Sequence, residues 1–404
     1  MISVSEARAK ILKDIHPVGT EVVALSAAAG RVMVEDALSR RTQPPADMSA
    51  MDGFAVRAAD IETIPVDLRI IGEVPAGGAY DKEVNAGEVV RIFTGASLPL
   101  GTDTIVIQED TEFNDHTVTI KEAATKGTYV RPAGLDFREG DVGLTSPRIL
   151  SPRDIGLLAA MNIPWITVRR KPKIALLSTG DELVRPGEPL GPNQIISSNS
   201  LLVAALIEAA GGEAIDLGIA MDNASSLREK AQGAKSADML ITLGGASVGD
   251  HDLIQPVLGK EGLSVDFWRI AMRPGKPLMF GRFGGIPMLG MPGNPVSSMI
   301  CSFLFLIPAL DALCGLEPRH PPRQKALLGH AMKANDQRED YMRATITGEK
   351  DGLPVVELFA KQDSSMLSPL SAADCLVVRA PFAKALQEGA EVDMIPLIQP
   401  YPAV

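Results

Sequence analysis

The chain has 404 residues, 46% hydrophobic and 22% charged, with 39 Lys and Arg against 50 Asp and Glu for a formal net charge of -11. That length exceeds what one hydrophobic core serves and predicts roughly two to four domains. The acidic balance excludes a general nucleic-acid binder, which needs a basic surface to neutralise phosphates, so anionic ligands require local basic pockets.

The N-terminal stretch MISVSEARAK reaches charge at Glu6 without an apolar core segment, so no export signal and a cytoplasmic location are expected. Ser3 with Glu6 three residues on reads as a helix cap, and Val4, Ala7, Ile11 and Ile15 recur at helical spacing until Pro17. From about Thr20 to Gly140 short β-prone runs, Leu68 to Ile71, Glu88 to Phe93 and Thr117 to Ile120, are separated by glycine and proline, which predicts a mostly β domain. Ser151-Pro152 opens a second helix that leads into Trp165 to Val168, and this segment is expected to pack back on the N-terminal helix.

From Pro172 apolar strands alternate with helical segments, the pattern of a parallel sheet covered on both faces. The strands expected are Ile174 to Leu177, Ala214 to Leu217, Met239 to Leu243, Val265 to Ile270, Leu278 to Phe280 and Pro287 to Leu289, with helices over Leu201 to Ala210 and Ser225 to Lys235. The apolar run Met299 to Leu310 contains Pro308, ends at Asp311 and reads as a buried helix rather than a membrane span. After Pro318 to Pro322, Ala326 to Lys333, Tyr341 to Thr347, Pro354 to Phe359, Cys375 to Arg379 and Val392 to Ile398 read as the strands of a small sandwich or barrel. Cys301, Cys314 and Cys375 lie in apolar surroundings without a CxxC or a nearby histidine, so buried reduced thiols are expected.

In an open parallel sheet, ligands sit at the carboxyl ends of the strands, so the loops there should converge. After the first strand comes STGDEL, Ser178 to Leu183; after the second, Met221-Asp222-Asn223; after the third, LGGASVGDHD, Leu243 to Asp252. Gly180, Gly244, Gly245 and Gly249 permit close approach of a ligand to backbone N–H groups, with Ser178, Thr179 and Ser247 beside them. Glu182, Asp222, Asp250 and Asp252 gather carboxylates on one edge, a density that calls for a cation, and Mg²⁺ is the natural candidate. WRIAMRPGKP then places Arg269, Arg273 and Lys276 around a Pro-Gly turn, suited to a tetrahedral oxyanion. MPGNPVSS runs from a strand into a helix, so Ser297, Ser298 and the first free N–H groups face the same edge. Of the histidines only His251 sits in a motif, and neither GxSxG nor a P-loop is present, so a Ser-His-Asp hydrolase and an ordinary NTPase are both disfavoured.

These blocks resemble those of the molybdopterin molybdenumtransferases, the MoeA and gephyrin E-domain family of molybdenum cofactor biosynthesis. SAMDGFAV at Ser49 to Val56, RIFTGASLPLGTDTIVIQED at Arg91 to Asp110, RPAGLDFREGDVG at Arg131 to Gly143, STGDEL, GGASVGDHD, MRPGKP and MPGNPVSS follow in the family's order over nearly the whole chain. The resemblance implies a multidomain α/β plus β protein: a split elongated linker domain (1–20 and 141–171), a β-rich domain (21–140), a three-layer α/β molybdopterin-binding domain with a mostly parallel sheet (172–318) and a C-terminal β-barrel (319–404). It implies insertion of molybdenum from molybdate into adenylylated molybdopterin with Mg²⁺-dependent release of AMP, Asp252 lying closest to the hydrolysed bond. It further implies a homodimer whose site is completed by the partner's β domain, which brings in Asp52, Thr94, Arg131 and Asp136. Arg269 falls among the substrate-binding residues, and Arg273, Lys276, Pro277, Ser297, Arg343 and Ser364 are expected at molybdate. Transient contact with the adenylyltransferase and with recipient molybdoenzymes is also implied. The chain departs from the family at Arg269 and Arg273, where many members carry lysine, and at Asp363, a place usually held by glycine. The alternatives are a molybdopterin adenylyltransferase, which would not need the long N-terminal β region, and a non-catalytic pterin-binding scaffold.

Overall fold

The computed structural model describes residues 1–245 and 254–397. Its centre is a six-stranded sheet in the order Glu213–Ala220, Lys173–Thr179, Met239–Leu243, Ile286–Met291, Met279–Phe283, Leu263–Trp268. The first four strands are mutually parallel, and Met279–Phe283 runs antiparallel to both of its neighbours. Met239–Leu243 is buried at all five positions, as expected of an apolar strand covered on both faces. One face packs on helices Val4–Lys13, Asn199–Ala209 and Pro295–Leu313, the other on helix Ala224–Ala231 and the turns after it. Pro295–Leu313 is long and apolar enough to cross a membrane, and 78% of that window is buried inside the protein, which makes it the core helix expected.

The order of strand addition reverses between the parallel neighbours Lys173–Thr179 and Met239–Leu243, since the next strand of the sheet after Lys173–Thr179 lies on one side of it and the one after that on the other. The carboxyl ends of these two neighbours, Thr179 and Leu243, therefore open a crevice between diverging loops. The crevice is closed on its far side by a second folding unit. Glu339–Lys350, Leu353–Leu358, Gln324–Leu328, Glu391–Pro396 and Cys375–Arg379 form a barrel, closed by pairing of the first with the last. A short strand of the α/β unit, Met272–Arg273, pairs in parallel with Glu339 and Asp340 of the barrel, fixing the two units in register.

Two sequence expectations are corrected here. The N-terminal helix, capped by Ser3 as predicted, packs against residues 302–313 of the core helix rather than against the 151–168 segment, because its buried stripe Val4, Ala7, Ile11 belongs to the α/β core. The boundary drawn at residue 20 also moves: Thr20–Ala24 pairs with Trp165–Arg169, Val32–Met33 with Arg148–Ile149, and Ala37–Leu38 with Val142–Leu144. These segments join the split linker unit, where helix Pro152–Ala160 packs with them. The remaining β-rich unit is a six-stranded sheet spanning Gly53–Val56 to Thr117–Ile120.

Candidate functional site

A cavity of about 1270 Å³ occupies the crevice between sheet edge and barrel. Its floor is made by Ser178, Thr179, Gly180, Gly244 and Gly245, the ends of the two strands at the switch point. The glycines are required by close approach: a Cβ on Gly244 would stand 3.0 Å from Thr179 O, and one on Gly245 2.7 Å from Ile254 Cδ1, with both residues at positive φ. Ser178 is buried, so the strand delivers Thr179 and the glycine backbone to the cavity.

One wall is acidic. Glu182 and Asp222 line the cavity and are exposed to it. Gly180 lies directly beneath Glu182, since a Cβ there would come within 2.5 Å of Oε2. Asp222 is held by its backbone N–H, which donates to Asp181 Oδ1 at 2.9 Å. Ser247, Gly249, Asp250, His251 and Asp252 lie outside the described residues. Glu182 and Asp222 present hard oxygen donors to the same cavity, a donor type that fits Mg²⁺, although among the described residues no group of three or more His, Cys, Asp or Glu is placed to hold a metal ion.

The cavity is also lined by Lys276, Pro277 and Ser297 from the α/β unit and Ser364 from the barrel. Among the described residues Lys276 has no ion-pair partner. Ser297 is 4% exposed and lies in the first turn of the Pro295–Leu313 helix, whose cap residue Asn294 makes no side-chain cap bond, although its backbone carbonyl accepts from Ser298 N–H at 3.0 Å. Asn294 instead donates from Nδ2 to Ser364 Oγ at 2.8 Å, and Val296 N–H donates to Ser364 O at 3.0 Å. Ser298 turns away to donate to Pro292 O, so of the two serines expected at the edge only Ser297 lines the cavity.

Three basic residues behave differently from the sequence expectation. Arg273 lines the cavity, but its guanidinium is committed to Asp340 through Nε at 2.6 Å and through Nη2, with Asp336 and Asn335 beside it. That pairing raises its pKa above the ordinary arginine value against a smaller opposing effect of burial. Arg343 does not reach the cavity. It is 1% exposed and donates to the carbonyl oxygens of Met366 at 2.8 Å, Asp363 at 2.9 Å and Lys361 at 3.3 Å, and burial lowers its pKa. Arg343 thus shapes the loop that carries Ser364 instead of touching a ligand in the cavity. Arg269 stands apart from the cavity at positive φ, with its guanidinium 5.6 Å from the Trp268 ring centroid.

The β-rich unit's residues form a separate exposed group. Asp52 Oδ1 accepts from Thr94 N–H at 2.8 Å and Thr94 Oγ1 at 2.7 Å, and these bonds hold its carboxyl below the usual range. Arg131 sits on a short strand paired with Met48–Ser49, and Asp136 N–H donates to Gln43 O. Asp52, Thr94, Arg131 and Asp136 do not line the cavity within one chain. Asp363, the departure noted above, lines the cavity with its carboxylate tied to Ser365 N–H at 2.8 Å and Oγ at 2.7 Å, which lowers its pKa. Sequence reasoning missed Asn294, Asp340 and Gln362; Asn294 lay inside a quoted motif, whereas Asp340 in REDYMR carries no local signal.

Comparison with known proteins agrees with this architecture unit by unit. The family model for the MoeA N-terminal region (domain I and II) matches residues 2–162, that for a probable molybdopterin binding domain 175–312, and that for the MoeA C-terminal region (domain IV) 325–397. A molybdopterin molybdenumtransferase of Haemophilus influenzae is 36% identical over 382 residues, 94% of each chain, and one of Nostoc sp. is 37% identical over 332 residues, covering 80% of this chain and 76% of that one. A crystal structure of a molybdopterin biosynthesis MoeA protein from Pyrococcus horikosii superposes with a TM-score of 0.85 at 31% identity, covering 99% of this chain and 100% of that one. With all three family regions in order and relatives of this identity along nearly its full length, the chain belongs to the molybdopterin molybdenumtransferase family, transferases of molybdenum cofactor biosynthesis.

Proposed function

We propose that the protein inserts molybdenum from molybdate into adenylylated molybdopterin, with Mg²⁺-dependent release of AMP. The observation that carries this reading is the mixed lining of one cavity: carboxylates Glu182 and Asp222 together with Lys276, Ser297 and Ser364. A phosphoanhydride needs a hard cation on its oxygens, whereas molybdate, a tetrahedral oxyanion, needs hydroxyl and ammonium donors; one cavity supplies both.

Glu182 and Asp222, with Asp250 and Asp252 of the GGASVGDHD motif, are the residues that would hold Mg²⁺. When bound, Mg²⁺ neutralises charge developing on the phosphate oxygens. Glycines at the strand ends let the substrate lie against backbone N–H groups, and Asp252 is assigned the position nearest the bond that water cleaves to release AMP. Lys276 supplies a point charge to molybdate, while the Ser297 hydroxyl orients its oxygens. In the proposed homodimer Asp52, Thr94, Arg131 and Asp136 of one protomer complete the cavity of its partner; their exposure and their absence from the lining of the same chain's cavity support this arrangement. An adenylyltransferase acting alone is not favoured, because matches to the N-terminal and C-terminal regions of the family flank the pterin-binding unit.

The test is AMP release from adenylylated molybdopterin by the pure protein with Mg²⁺, with and without molybdate. Release that depends on molybdate is expected, and its absence would sink the proposal. Asp252→Asn is expected to keep ligand binding and lose turnover; AMP release at the wild-type rate would remove Asp252 from the mechanism.

A further inference from the structure

The MRPGKP turn offers two cations to the cavity, and the structure treats them in opposite ways. Arg273 is exposed at its edge yet bound in a two-pronged ion pair to Asp340, which is only 3% exposed. Lys276, three residues on, is exposed and has no ion-pair partner among the described residues. The turn between them is held from both sides. Ile270 N–H donates to Lys276 O and Arg269 N–H to Leu278 O, closing the turn, while Gly275 is pressed so tightly on the core that a Cβ would stand 2.8 Å from Cys301 Sγ and 3.0 Å from Met272 Cε. On the barrel side the only strand pairing between the two units among the described residues is Met272 with Glu339 and Arg273 with Asp340.

We propose that Asp340 is a positioning residue for the anion end of the cavity: it converts Arg273 into a strut between barrel and turn, and leaves Lys276 as the cation presented to the oxyanion. This rests on the functional reading above and adds to it a residue that touches no substrate. A buried carboxylate facing a bidentate guanidinium is a directional contact, because the planar fork fixes both angle and distance. Neutralisation is the second half of the argument. Arg273 has its charge balanced by Asp340, with Asp336 also near, so the net positive potential of the turn belongs to Lys276.

The inference makes a prediction of sign that separates it from its rival. If Arg273 itself binds molybdate and Asp340 merely offsets its charge, removing that negative charge in Asp340→Asn should tighten molybdate binding. If Arg273 is a strut, the same change loosens the turn and weakens it. Steady-state AMP release is measured at varied molybdate and, separately, at varied adenylylated molybdopterin. The expected result for Asp340→Asn is an apparent KM for molybdate raised about tenfold, with kcat and the KM for the pterin within about twofold of wild type, and partial recovery in Asp340→Glu. An unchanged or lowered molybdate KM in Asp340→Asn would overturn the proposal. Should Asp340→Asn fail to fold, Arg273→Lys, which retains charge and loses the fork, carries the same expectation, and a wild-type molybdate KM in that variant is equally decisive against it. Wild-type protein that shows no molybdate-dependent turnover overturns the functional reading itself, an outcome distinct from wild-type activity with an unaltered variant.

Discussion

Arg343 donates a 2.9 Å hydrogen bond to the backbone carbonyl of Asp363, and with two further bonds to Met366 O and Lys361 O it supports from below the loop that carries Ser364 into the cavity. Its own backbone is tied to the same loop, since Gln362 accepts from Arg343 N–H and donates to Arg343 O. Truncating Arg343, itself buried, removes the donor from three backbone carbonyl groups and opens a void. Arg343→Met is therefore expected to destabilise the protein by roughly 2–4 kcal/mol, visible as a lowered thermal midpoint, before any effect on turnover is considered. A variant with an unchanged midpoint would show that the loop stands without it.

Gly180 occupies φ +146°, and its missing Cβ makes room for the Glu182 carboxylate. Ala at this position must displace that flexible carboxylate and adopt a conformation that L residues avoid. The strain costs about 1–3 kcal/mol, and the expected functional result is an increase of roughly 10–100-fold in the Mg²⁺ concentration that supports half-maximal AMP release. A Mg²⁺ titration that overlays the wild-type curve would argue against Glu182 as a ligand.

Asp154 lies in the first turn of helix Pro152–Ala160, accepting from Ser151 N–H at 2.8 Å and from Arg148 at 2.8 Å, while its own N–H donates to Ser151 Oγ. Burial opposes ionisation, yet these partners prevail and hold its carboxyl below the usual range. Because the folded-state pKa is depressed, the stabilisation is complete above the ordinary carboxylate pKa and is lost as pH falls through the lower folded value. Asp154→Asn should cost about 1 kcal/mol in urea unfolding at pH 7, with the difference from wild type shrinking toward the acid limit. A difference that stays constant with pH would assign the effect to shape rather than charge.

Burial raises the thiol pKa of all three cysteines, to about 11 at Cys314 and about 12 at Cys375, and higher still at fully buried Cys301. A thiol-specific reagent at pH 8 is expected to label none of them in the native protein and all three in denaturant. Rapid native labelling would contradict the burial described.

Much of this protein is legible in its sequence because the signals are local. Strand Met239–Leu243 has four apolar residues out of five, the helix at Ser3 carries its own cap, and the glycine loops announce the strand ends that line the cavity. The domain order follows from the same texture, apolar runs alternating with helices between two β-rich stretches. By contrast, the seam between linker and β-rich units was misplaced because Thr20–Ala24 pairs with residues about 145 positions away, and register at that separation leaves no mark on either segment.

The site divides in the same way. Residue types and spacing alone determined that carboxylates and cations meet at the ends of parallel strands, since the fold's handedness sends every such loop to one edge. Among the described residues, tertiary structure decided which cations are paired: Asp340 claims Arg273, backbone carbonyls claim Arg343, Trp268 lies under Arg269, and Lys276 lines the cavity without an ion pair. A charge is neutralised by whatever lies within a few ångströms, and for these residues that neighbour is contributed by a distant part of the chain.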